Sequence, residues 1–154
     1  MELPRINASE EVQAENIASY NHAKLVYRLG KSFSRYDTQY DILPELKFEL
    51  SYGRAKPDIA ICEPAEADWL RDVIRPTTPP LMAVQILSPR QALSDLTDKV
   101  LDVYFPSGTL VVWLVIPHFR QVTVMTPQGQ TTLTTGIVRD DRTGIELDLA
   151  HIFA

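Results

Sequence analysis

Two strand-length runs, residues 81–87 (LMAVQIL) and 110–116 (LVVWLVI), are apolar at nearly every position. A strand that faces water on one side alternates apolar with polar residues. A run without alternation has to be covered on both faces. Neither run approaches the roughly 20 apolar residues needed to span a bilayer, so the rest of the chain must supply the cover. That requirement points to a layered fold, with helices packed on a central sheet. A chain of 154 residues is long enough for one such domain and too short for two ordinary ones, so residues 1–154 read as a single unit. Cys62 is the only cysteine, which excludes a disulfide scaffold. The start of the chain, MELPRINASEEVQ, shows no basic stretch followed by an apolar one. The expectation is a cytoplasmic protein with no membrane association.

Around these runs the pattern changes twice. From about residue 9 to 33, Ala18, His22, Leu25, Leu29 and Phe33 recur every three or four positions, as on one face of a helix. Asn7 and Glu10 have the spacing of a capping box. After Tyr36, Leu46, Phe48 and Leu50 alternate with Glu45, Lys47 and Glu49, which predicts a half-buried strand. Residues 55–62 (AKPDIAIC) form a short apolar strand, with Pro57 at its start, where a missing N–H costs least. Residues 63–80 are polar and carry four prolines; they read as a long surface loop pinned by Trp69 and Leu70. A second helix starts at Ser88 or Ser94, buries Leu93, Leu96, Val100, Val103 and Tyr104, and stops at Pro106 and Gly108. Residues 121–125 alternate as a hairpin partner for 110–116. A Thr-rich strand, a short strand at 144–149 and a closing turn at 151–153 complete the chain. The expected class is α/β, a central mixed β-sheet flanked by helices.

The net charge is −5, and residues 57–154, with seven basic and twelve acidic side chains, hold the whole excess. That opposes a general coat for nucleic acid, whose affinity comes from many Lys and Arg contacts to phosphate. One exception lies on the first helix. Lys24, Arg28, Lys31 and Arg35 recur at helical spacing, either as a solvated face or as a stripe that contacts phosphates.

Polar residues that interrupt apolar strands are the candidates for chemistry, because burying them unpaired is costly. Asp58 opens one strand and Gln85 lies inside another. If those strands are neighbours, both side chains reach one sheet edge, and Glu45 or Glu49 adds a third oxygen donor. Such oxygens suit a hard cation such as Mg²⁺ or Mn²⁺, which activates water and stabilises charge on a phosphate. Lys99 on the following helix is the candidate to steady that phosphate. Structural alternatives stand beside each residue. Asp58 can make a turn hydrogen bond, Gln85 can be a satisfied core amide, and Lys99 can pair with Asp95 one helical turn away. His22 reads as a packed face residue rather than a ligand. Cys62 has no partner at zinc spacing and reads as buried filler. There is no Gly-rich phosphate loop, and no Ser-His-Asp arrangement stands out. No organic cofactor is implied.

The segments KPDIAI, PPLMAVQILSPRQ, DLTDKVLDVYFPSG and VVWLVIP occur in that order, between ENIASYNHAKLVYRLG and GIELDLAHIF. As an ordered set they resemble the Uma-type restriction-endonuclease family of the PD-(D/E)xK nuclease superfamily. The resemblance implies a restriction-endonuclease-like fold. It also implies a metal-dependent endonuclease acting on DNA, with Asp58 as main metal ligand, Glu45 as a further carboxylate and Lys99 as a displaced catalytic lysine. Duplex cleavage by such small domains implies a homodimer. One departure matters. The family places Glu two residues before its Leu-Ser-Pro, and here Gln85 stands before Leu87-Ser88-Pro89. Glutamine keeps an oxygen donor and loses the charge, so metal affinity is expected to fall. The alternative expectation is a nuclease fold that has lost catalysis and binds nucleic acid or a protein. A stable domain with no nucleic-acid role is a third reading.

Overall fold

The computed structural model describes residues 19–154, so the expected helix start near residue 9 and its capping box lie outside the described residues. Within them, helix α1 spans Tyr20–Phe33. Ser19 caps it by accepting a hydrogen bond from the His22 amide, one of the donors that a helix start leaves without a partner. Strand β1 (Asp41–Pro44) follows. Next come the short hairpin β2 (Phe48–Leu50) and β3 (Gly53–Ala55), then β4 (Ile59–Cys62) and β5 (Met82–Ile86). Helix α2 (Leu93–Lys99) leads through a π-helical turn, Val100–Tyr104, into α3 (Phe105–Ser107). Gly108 ends the run with φ +111°, a conformation that favours glycine. The chain closes with β6 (Val111–Ile116), β7 (Gln121–Thr126), β8 (Gly129–Leu133), β9 (Ile137–Arg139), β10 (Glu146–Asp148) and α4 (Leu149–Phe153).

The main sheet has six strands in the order β1-β4-β5-β6-β7-β8. Its pairs are antiparallel except β5 with β6, which is parallel and is bridged by the α2–α3 crossover. The sheet is therefore mixed, as expected. Its two central strands, β5 and β6, are the two runs that lack alternation. All six residues of β6 are buried, and successive residues serve opposite layers. Val111, Trp113 and Val115 join Leu25, Leu29 and Phe33 of α1 and Leu149 and Ile152 of α4. Val112, Leu114 and Ile116 join Leu96, Val100, Val103 and Tyr104 on the other face. Phe33 meets Trp113 edge to face, with ring centroids 5.8 Å apart.

Several expectations change. The alternating strand predicted from Glu45 shortens to β2, because Glu45 has φ +60° and breaks the extended chain. Strand β1 was not legible: four residues with no alternation around Ile42 and Leu43. The second helix begins at Leu93, after Ala92, and neither Ser88 nor Ser94 caps it. The closing turn is the helix α4. Trp69 and Leu70 do not pin the long loop, since they are 93% and 96% exposed.

Candidate active site

Strands β4 and β5 pair with Ile59 opposite Val84. The residues just beyond that pair are Asp58 and Gln85, and the Asp58 amide extends the ladder to the Val84 carbonyl at 2.9 Å. The backbone thus brings Asp58 and Gln85 to the same strand end, where their side chains find partners on different elements. Pro57 and the turn around Glu45 stop the backbone ladder there. The Ile86 amide donates instead to Asp58 Oδ2 at 2.6 Å. Asp58 Oδ1 lies 2.7 Å from His22 Nε2 on α1. The His22 ring is buried, and its Nδ1 finds no partner among the described residues. The hydrogen bond to Asp58 holds the imidazole pKa above its usual 6.5. Burial works against that shift, the charges of Asp58 and Glu45 support it, and Lys56 opposes it.

Gln85 Nε2 donates to the Lys56 carbonyl at 3.1 Å and to the Tyr104 hydroxyl at 3.3 Å. A carbonyl only accepts, so the amide orientation follows from its neighbours. Gln85 Oε1 then has no hydrogen-bond partner among the described residues. The Tyr104 phenol is fully buried, and burial together with the Asp58 charge raises its pKa far out of the working range. Glu45 stands beside this pair: its amide donates to the Asp58 carbonyl at 3.1 Å, and its carboxylate meets Lys56 Nζ at 3.0 Å. A non-glycine residue at positive φ is uncommon and concentrates at functional sites.

The remaining candidates are placed differently. Lys99 Nζ donates to the Arg54 carbonyl at 3.0 Å. Arg54 lies two residues before the Lys56 carbonyl that holds Gln85, about 7 Å along extended chain. Lys99 is thus bonded to the backbone two residues before Lys56, and it bonds neither Asp58 nor Gln85. Glu49 pairs with Arg54 at 2.7 Å and with Arg75 at 3.9 Å, whereas Glu45 touches Asp58 through its backbone amide. In the basic stripe, Arg28 donates to the carbonyls of Ile152 and Ala154, and Arg35 to that of Glu146. Both arginines tie α1 to the C-terminal segment. Lys24 lies over the Tyr20 ring, and Lys31 lines an open groove of about 810 Å³ between α1 and that segment. Three site residues escaped the reading of the sequence: His22, Lys56 and Tyr104. His22 left a trace as the one ionisable member of an otherwise apolar helical stripe.

Among the described residues no three His, Cys, Asp or Glu side chains gather as a ready metal cluster. Two hard oxygen donors belong to this strand end: Asp58, whose oxygens each keep a lone pair, and the unpartnered Oε1 of Gln85; their hydrogen-bond partners, His22 on α1 and Tyr104, come from opposite faces of the sheet. They suit a weakly held hard ion that keeps most of its water, and not a tightly caged one.

A family model described as "Uma2: Putative restriction endonuclease" matches residues 8–151. The chain belongs to this family. The fold is that of a solved nuclease-like domain, the crystal structure of "a putative nuclease belonging to DUF820" from Anabaena variabilis ATCC 29413. That structure superposes with a TM-score of 0.77 at 18% identity, over 88% of this chain and 82% of that one. A cryo-electron-microscopy structure of the DrdV–DNA complex aligns with 92% of this chain and 11% of its own, at 11% identity and a TM-score of 0.45. A search of the curated proteins finds no match. Among the described residues no helix is long and apolar enough to cross a membrane.

Proposed function

We propose that this chain is a metal-dependent endonuclease that hydrolyses phosphodiester bonds of DNA at the Asp58–Gln85 edge. One observation supports the reading: the pairing of β4 with β5 brings the backbones of Asp58 and Gln85, an acid and an amide with a free oxygen, to the same strand end. Asp58 and Gln85 would hold a Mg²⁺ or Mn²⁺ ion, and Glu45 would add negative charge from the adjoining turn. When bound, the ion supplies an activated water and neutralises charge on the phosphate. His22 fixes the rotamer of Asp58 through Oδ1, and the Ile86 amide fixes it through Oδ2. Lys99 would swing toward a phosphate docked there. Lys24 and Lys31 extend from α1 as contacts for the DNA backbone. Cutting both strands calls for two copies of the site, hence a homodimer.

The second reading is a nuclease fold that binds nucleic acid or a protein without cutting. It is favoured by the Gln85 amide, whose two hydrogen bonds suit a neutral side chain. A supercoiled-plasmid nicking assay with Mg²⁺, Mn²⁺ or chelator separates the two. The nuclease reading predicts metal-dependent nicking that Asp58→Asn lowers at least about 100-fold. Asparagine keeps an acceptor for the Ile86 amide, so the fold survives the change. Binding without nicking, in either metal and unchanged by Asp58→Asn, selects the second reading.

A further inference from the structure

We propose that residues 68–75 form a two-fold, self-complementary contact with a second copy of this chain. The segment reads Asp68-Trp69-Leu70-Arg71-Asp72-Val73-Ile74-Arg75, an acid–apolar–apolar–base unit written twice. It lies in the loop between β4 and β5 and exposes Trp69 by 93%, Leu70 by 96%, Val73 by 63% and Ile74 by 82%. Four large apolar side chains exposed within six residues mark a place where something docks.

The order of the residues says what docks. Once the turn that ties the Arg71 amide to the Asp68 carbonyl at 3.2 Å opens, two copies laid antiparallel about an axis between Arg71 and Asp72 set Asp68 against Arg75 and Arg71 against Asp72. The same operation sets Trp69 against Ile74 and Leu70 against Val73. Every charge meets its opposite and every apolar residue meets another, as a contact that uses one patch twice requires. Two acids and two bases cancel within the segment, so it offers no excess charge to a strongly acidic or basic partner. The chain also holds the loop in place at both ends. The Ala65 amide donates to Asp41 Oδ2 at 3.0 Å, and the Glu49 amide donates to the Pro76 carbonyl at 2.9 Å. Asp68 and Asp72 each accept from a nearby amide of their own loop, those of Leu70 and Val73, and Arg75 reaches Glu49 only at 3.9 Å. Tethering lowers the ordering cost of association.

The location fits a dimer that leaves its sites open. The loop leaves β4 after Cys62 and enters β5 before Met82, whereas Asp58 and Gln85 lie at the other ends of those strands. The contact gives a place to the homodimer named above, and it does not depend on catalysis. An eight-residue patch is smaller than a standard interface, so the dissociation constant falls in the micromolar range.

Sedimentation equilibrium of the full chain from about 1 µM to about 1 mM reads this directly. The expected result is a reversible monomer–dimer equilibrium. Arg71→Asp places a carboxylate against Asp72 of the second copy, twice by symmetry, and weakens the dimer at least about tenfold. The double variant R71D/D72R restores the pairing and the dimer, and Trp69→Ser abolishes it. All three positions are on the surface, so a circular dichroism spectrum unchanged from the parent confirms folding. A monomer throughout the range overturns the proposal, even if the loop captures another protein. So does a dimer indifferent to R71D, or one that R71D/D72R fails to restore. Nicking activity plays no part in the readout: an inactive dimer leaves this contact standing, and an active monomer overturns it alone.

Discussion

Both carboxylate oxygens of Asp58 are engaged, one by His22 and one by the Ile86 amide. The side chain is therefore part of the fold, and the proposed function gives it a chemical role besides. Removing the side chain would leave a buried amide without an acceptor, at about 1–3 kcal/mol, whereas Asp58→Asn keeps the acceptor and removes the charge. Comparing the two variants separates folding from metal binding. Urea unfolding of Asp58→Ala should show the loss, and Asp58→Asn should show most of the stability retained. At the far end of the same strand Cys62 has a different character. Burial, with a smaller push from Asp41, raises its thiol to about 11. Only the thiolate reacts, so alkylation by iodoacetamide at pH 8 should run about 100-fold slower than for an unperturbed thiol. It should speed up with pH toward 11. A rate equal to that of free cysteine at pH 8 would contradict the burial.

At the scale of elements, the two unalternating runs carry the fold, because each has to serve two layers. The Phe33–Trp113 contact joins α1 to the centre of β6, so Phe33→Ala should cost about 3–5 kcal/mol, read as a lower urea midpoint with an unchanged slope. These elements were legible because apolar pattern and burial coincide. Asp58 and Gln85 were legible for the same reason inverted, as polar residues inside apolar strands. What the sequence hid is tertiary. The hydrogen bond of His22 with Asp58 links residues 36 positions apart. Lys56 earns its place only because Glu45 turns toward it at positive φ. Strand β1 has too few residues for alternation to show. The loop residues Trp69 and Leu70 read as anchors because apolar side chains usually bury, and here none of the described residues covers them.

Over the whole molecule, an acidic surface with net charge −5 restricts where DNA can lie. Of the four cations on α1 and the turn that follows it, Arg28 and Arg35 are committed to the C-terminal segment, so the proposal assigns the DNA-backbone contacts to Lys24 and Lys31. Replacing both with Ala should lower the salt slope of DNA binding by about 1 for each lysine. A slope that does not change would move the DNA to another face. The most direct test of the Asp58–Gln85 edge is the effect of Mg²⁺ on the urea stability of Gln85→Glu. The new carboxylate would face the Lys56 carbonyl at the strand end shared with Asp58. Without metal the variant should lose about 1–3 kcal/mol. Millimolar Mg²⁺ should return most of that loss, and return more than it gives the parent. A loss that Mg²⁺ leaves untouched would show that the two side chains share no ion, and would contradict the proposed site.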